Sequence, residues 1–140
     1  MKEQTYLTFE QVKQLLPQFS DAMQIGRKQI YSSSMGRLYF KGSKKYDYAN
    51  TTWWYSIFPE VIEEEKIDYI ILAAGFEGVF VIPARKFLLF KETHTIKNLK
   101  AGESIDILTV GAKHRRRGGK GEYEDWTDNF IPINPIGKNT

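Results

Sequence analysis

Two runs in the middle of the chain constrain the fold most. Asp68-Tyr-Ile-Ile-Leu-Ala-Ala74 and Val79-Phe-Val-Ile82 are almost continuously apolar, and only Gly75-Phe-Glu-Gly78 separates them. Such runs are too short for buried helices. They lack the polar alternation of a strand with one wet face, so they read as strands covered on both sides. The short glycine-bounded connection predicts a hairpin. A sheet covered on both faces needs layers above and below it, and the neighbouring segments must supply them.

The segment Thr8-Phe9-Glu10-Gln11 has the pattern of a capping box, in which Thr8 takes the Gln11 amide and Gln11 reaches back. Phe9, Val12, Leu16 and Phe19, with Leu15 beside them, repeat at helical spacing, and Pro17 ends or kinks that helix. Ser20-Asp21 predicts a cap for a second short helix running towards Gln29. Arg37–Lys41 reads as a strand, Gly42–Lys45 as a turn and Ser32–Ser34 as a polar loop. Thr51–Phe58 is the strongest strand by propensity. Pro59–Lys66 reads as a short acidic helix, and Pro83 opens a further helix over Ala84–Phe90. Ser104–Val110 and Tyr123–Ile133 are expected as two more strands. The expected class is therefore α+β, a mixed, largely antiparallel sheet of about five strands with helices packed on it. Residues 1–133 are expected to form one domain and 134–140 a loose tail.

Composition excludes several function classes. The chain has no cysteine, which removes disulfides, thiolate catalysis and cysteine-zinc sites. Its two histidines, His94 and His114, lack metal-ligand spacing, so no metal or other cofactor is expected. No apolar run approaches the length of a membrane-spanning helix, and MKEQTYLTFEQ carries no hydrophobic leader core. A cytoplasmic location without membrane contact is expected.

The formal charge is only +3, but it is segregated. Gly26 to Tyr46 holds Arg27, Lys28, Arg37, Lys41, Lys44 and Lys45 and no acid. Gly111 to Gly121 holds Lys113, His114, Arg115, Arg116, Arg117 and Lys120 among glycines. Guanidinium forks and lysines suit phosphate oxygens, and RGG-type runs are compatible with nucleic acid. Gly119-Lys120 is followed by Gly121 and not by Ser or Thr, so this is not a nucleotide-binding P-loop. A plainer alternative is a solvated hairpin tip whose charges pair with Glu122, Glu124 and Asp125.

The adjacent Trp53 and Trp54 must face opposite sides of a strand. One belongs to the core, and the other, taken as Trp54, is a candidate to stack on a base. The alternative is that both are packing or interface residues. The candidate nucleic-acid contacts are thus Arg37, Lys41, Lys44, Lys45, Trp54, Lys113, His114, Arg115, Arg116, Arg117 and Lys120. No catalytic residue is assigned.

The succession Arg37–Lys41, Thr52–Ile57, Asp68–Leu72 and Val79–Pro83, with a helix turn and a closing helix, resembles part of the restriction-endonuclease-like PD-(D/E)XK superfamily over residues 37–90. In that family two acids and a lysine on adjacent strands hold a divalent metal and a water beside the scissile phosphate. Here Lys41 falls on the family lysine, but Tyr39 stands where the acid belongs and residues 26–46 offer no first acid. Glu60 with Glu64-Glu65-Lys66 matches the motif's letters after the aromatic strand, with the wrong spacing. The resemblance therefore implies a relative that keeps the fold without an intact catalytic motif.

The expected function is a non-catalytic nucleic-acid-binding module, with DNA favoured over RNA and a link to restriction or phage defence suggested by the resemblance. Two alternatives stand. One is a small nuclease, either metal-dependent through Asp47, Asp68 and Glu77 or metal-free through His114 or His94 with Lys41 and Arg115–Arg117. The other is a protein-interaction domain, including a homodimer, with a Trp-rich interface.

Overall fold

A computed structural model describes residues 3–26, 29–47, 51–94, 103–117 and 122–133. Among them ten strands form two sheets, with three α-helices and two short 3-10 turns. Arg27, Lys28, Lys120 and the expected tail 134–140 lie outside the described residues.

The chain begins with α1 (Phe9–Leu15). The Thr8 hydroxyl accepts from the Gln11 amide at 3.2 Å, and Gln11 Oε1 accepts from the Thr8 amide at 2.9 Å. The capping box is therefore formed as the sequence predicts. Pro17 ends the helix and opens a 3-10 turn, Pro17–Phe19. No helix follows Ser20-Asp21. Instead β1 (Met23–Gln24) pairs with β2 (Ile30–Ser33), and the Ile25 amide donates to the Ile30 carbonyl. Gly26 sits between them at φ +54°, a conformation that serves a turn and breaks a helix. The serine run is likewise strand rather than loop as far as Ser33, and Gly42 and Ser43 extend β3 (Gly36–Ser43) beyond the expected turn.

The larger sheet also contains β5 (Tyr69–Ala74), β6 (Gly78–Pro83) and β10 (Phe130–Pro132), in the order β1-β2-β3-β5-β6-β10. Its pairings are antiparallel except for β3 with β5. Ile71, Ala73 and Val79 face one side, where they pack with Phe9, Val12, Leu16 and Phe19. Ile70, Leu72, Ala74, Phe80 and Ile82 face the other. This two-sided burial is what the apolar runs require.

The second face is covered largely by another sheet. It consists of β4 (Trp53–Ile57), β7 (Glu103–Val110), β8 (Lys113–Arg117) and β9 (Tyr123–Asp125), in that order and all antiparallel. Trp53, Tyr55, Ile57, Ile105 and Ile107 point from it into the shared core. Val61 and Ile62 of α2 (Pro59–Glu64) and Phe87 of α3 (Ala84–His94) complete that core. The expected strand over Tyr123–Ile133 breaks at Trp126. Its indole is fully buried and donates to Glu124 Oε1 at 2.7 Å. After the 3-10 turn Thr127–Asn129, the chain leaves the small sheet and joins the large one as β10. Among the described residues, no helix is long and apolar enough to cross a membrane.

Asp68 stands at the entrance to β5 and is a structural residue. Its carboxylate accepts from the Arg37 amide at 2.9 Å, its own amide donates to the Arg37 carbonyl at 2.8 Å, and its carbonyl accepts from Ala84 at 2.9 Å. Gly36 lies against this carboxylate at φ +121°, leaving no room for a side chain there.

Candidate functional site

The segment Lys113–Arg117 is an interior strand of the small sheet, hydrogen-bonded to β7 on one side and β9 on the other. It is therefore not a loop tip. Strand alternation sorts its five residues into two groups. His114 and Arg116 point inward, while Lys113, Arg115 and Arg117 share the outer face.

Arg116 corrects the expectation of a surface phosphate ligand, since only 2% of it is exposed. Its guanidinium carbon lies 4.3 Å from the centre of the Phe87 ring and 5.5 Å from that of Trp126. Nη1 donates to the Phe87 carbonyl at 3.3 Å and sits 3.9 Å from Glu124. A planar, weakly hydrated guanidinium tolerates such an aromatic slot better than an ammonium would. His114 is half-buried against Phe130 and Phe80, with ring centres at 4.3 and 5.5 Å. Its Nδ1 lies 2.9 Å from Thr109 Oγ1. Burial lowers its pKa, against the weaker opposing pull of Glu77 and Asp125. Neither residue belongs to the outer surface.

On the outer face, the registers align one residue from each strand. Trp54 of β4 lies opposite Asp106 of β7, Asp106 opposite Arg117 of β8, and Arg117 opposite Tyr123 of β9. The next row along places Leu108 opposite Arg115, and Arg115 opposite Asp125. Val110 faces Lys113 beyond that. Trp54 is 42% exposed and Tyr123 49%, so both ends of the first row present an open ring. Leu108 is buried yet belongs to neither core cluster, so it packs among its neighbours on this face. Burial raises the pKa of Asp106, and Arg117 counteracts that in part. The Asp125 carboxylate accepts from Thr127, which lowers its pKa, with Lys113 and Arg115 adding to the effect.

The first basic block does not gather into one patch. Arg37 opens β3 and pairs with Glu65 at 2.8 Å. Lys44 follows the other end of the strand, about 23 Å away at a strand's rise per residue. Lys41 is half-buried, with its ammonium 5.6 Å from the Phe58 ring and 5.9 Å from that of Tyr39. Burial lowers its pKa. Lys44 lies over Tyr46 at 5.2 Å, and Lys45 pairs with Glu77 at 2.9 Å. Lys44 to Tyr46 do run beside the small sheet, because Trp54 donates to Ser43 Oγ and Tyr46 to the Thr52 carbonyl. Lys44 and Lys45 thus flank the edge that carries Trp54.

Asp68 and Glu77, suggested for metal-dependent chemistry, do not converge, and the side chain of His94 lies outside the described residues. Asp68 precedes β5 and Glu77 follows it, about 20 Å apart at a strand's rise. His114 faces the core while Arg115 and Arg117 face away from it. Sequence reasoning missed Asp106 and Tyr123. The alternation of Asp106 with Ile105 and Ile107 marks it as outward-facing, but its alignment with Arg117 and Tyr123 depends on cross-strand register. No protein-family model, curated protein or solved structure matches the chain.

Proposed function

We propose that the protein is a non-catalytic nucleic-acid-binding module and that its contact surface is the outer face of the four-stranded sheet. The observation that carries this reading is the arrangement of Lys113, Arg115 and Arg117 on one face with the exposed ring of Trp54. Cations supply affinity for the phosphate backbone, and an exposed ring supplies a surface for a base. Two acids share the face, but the Asp125 carboxylate is engaged by Thr127 and Asp106 lies opposite Arg117. Lys44 and Lys45 at the neighbouring edge extend the positive potential.

The proposed link to restriction-endonuclease-like proteins is supported by the order β3, β4, α2, β5, β6, α3, which follows the succession of elements in the resemblance. Lack of catalysis is supported by Tyr39 in the acid's place and by the separation of Asp68 from Glu77. A cytoplasmic location accords with this reading.

The test is a variant carrying Lys113→Ala, Arg115→Ala and Arg117→Ala together. Arg116 is kept because it belongs to the core. Fluorescence anisotropy against labelled oligonucleotides is measured over a salt series. The variant should bind more weakly, and its slope of log affinity on log salt should flatten by about 0.7 per lost contact on a single strand and about 0.9 on a duplex. Its melting temperature serves as the control for folding. Wild-type protein that binds no nucleic acid at low salt would refute the reading.

A further inference from the structure

Resting on that reading, we propose that the face binds single-stranded DNA, with bases stacked on Trp54 and Tyr123 and the phosphates running over Arg115 and Lys113.

The two rings terminate one row that crosses the whole sheet, Trp54–Asp106–Arg117–Tyr123. Three strand spacings separate them, about 14 Å. That span is short enough for one stretch of single strand to lay a base on each ring. Paired bases in a duplex hide their faces from a flat sheet. Unpaired bases offer them, and every base has a face to stack.

The charges on the face give the strand an orientation. Asp106 lies in the row between the rings and repels phosphate, with Arg117 opposite it. The neighbouring rows carry two exposed cations, Arg115 and Lys113, against one acid, Asp125, which lies opposite Arg115. The backbone is therefore drawn to the Arg115–Lys113 side, and the bases fall over the Trp54–Tyr123 row. There Asp106 can accept from an exocyclic amino group and Arg117 can donate to a carbonyl.

The choice of DNA rests on Val110, since Leu108 beside it is buried. Val110 stands directly opposite Lys113, on the path assigned to the backbone. Val110 is 66% exposed. Apolar surface there suits a sugar without a 2′ hydroxyl.

The test uses labelled oligothymidine of about twenty nucleotides, oligouridine of equal length and a duplex of the same length. Wild type, Trp54→Ala, Tyr123→Ala and the triple cation variant are compared. Oligothymidine should bind tightest. Each ring removal should weaken it by about 5- to 150-fold and leave duplex binding nearly unchanged. Trp53 and Trp126 are buried, so quenching of tryptophan emission by oligothymidine should disappear in Trp54→Phe.

If the duplex binds as tightly as the single strand, or if the ring variants bind like wild type, this inference is overturned. The broader reading then survives only if the triple variant still weakens binding. Oligouridine binding as tightly as oligothymidine overturns the choice of DNA. A wild type that is dimeric by sedimentation, with Trp54→Ala monomeric, would make the face an interface between copies of this chain and overturn the proposal.

Discussion

Arg116 and Phe87 meet through both main chain and side chain: the guanidinium carbon lies 4.3 Å from the ring centre, and Nη1 donates to the Phe87 carbonyl at 3.3 Å. The contact ties β8 to α3 across the core. Arg116 also neighbours Glu124, which accepts from the Trp126 indole. Arginine here supports the strand that displays Lys113, Arg115 and Arg117, without itself reaching solvent.

Arg116→Ala should therefore destabilise the fold by about 3 kcal/mol, because it opens the aromatic slot and leaves Glu124 without its cation. Arg115→Ala, one residue away on the outer face, should change stability by no more than about 0.5 kcal/mol. Chemical denaturation of the two variants checks this. Equal effects would mean that inward and outward positions on β8 had been misassigned.

Trp53 and Trp54 make the same comparison on β4. Trp53 is 1% exposed within the shared core, and Trp54 is 42% exposed on the outer face. Trp53→Ala should cost about 3–5 kcal/mol, the usual range for truncating a large buried aromatic. Trp54→Ala should be nearly neutral for stability. Urea midpoints for the pair separate the two roles, and a large loss in both would mean that the outer face is covered.

Much of the core was legible because its signal is local. The apolar runs at Tyr69–Ala74 and Gly78–Pro83, the capping box at Thr8 and the alternation of Trp53 with Trp54 each depend on neighbours within a few residues. Lys113–Arg117 carries no such signal, since a run of cations has neither strand propensity nor an apolar period. It is a strand because His114 finds Phe80 and Phe130, and Arg116 finds Phe87 and Trp126, which lie elsewhere in the chain. The division into two sheets has the same origin. Trp126 is buried at the point where the chain crosses from β9 to β10, and only the tertiary fold shows that Tyr123 and Phe130 belong to different sheets. Of the candidate site, Lys113, Arg115, Arg117 and Trp54 were readable one by one, while Asp106 and Tyr123 were not singled out and Arg116 proved to be core. The alignment into a row was not readable, because it depends on register across four strands.

His114 sets an expected dependence of stability on pH. Burial against Phe80 and Phe130 disfavours its charged form, so its folded pKa lies below the value near 6.5 of an exposed histidine. Between those two values the unfolded chain binds a proton that the folded chain refuses. Stability from this residue is therefore complete above about pH 6.5 and is lost as pH falls through the folded pKa. Glu77 and Asp125 pull the other way and narrow the window without reversing it. Thr109 Oγ1 lies at hydrogen-bond distance from Nδ1, and Phe80 and Phe130 pack against the ring. Melting temperature should fall as pH drops from about 7.5 to about 5, across the range in which histidine titrates. His114→Gln keeps a polar group near Thr109 without a titrating ring, and the part of the slope due to His114 should vanish in it. Unchanged slopes in wild type and variant would place the acid sensitivity elsewhere. A melting temperature that rises on acidification in wild type alone would mean that the folded state favours the imidazolium.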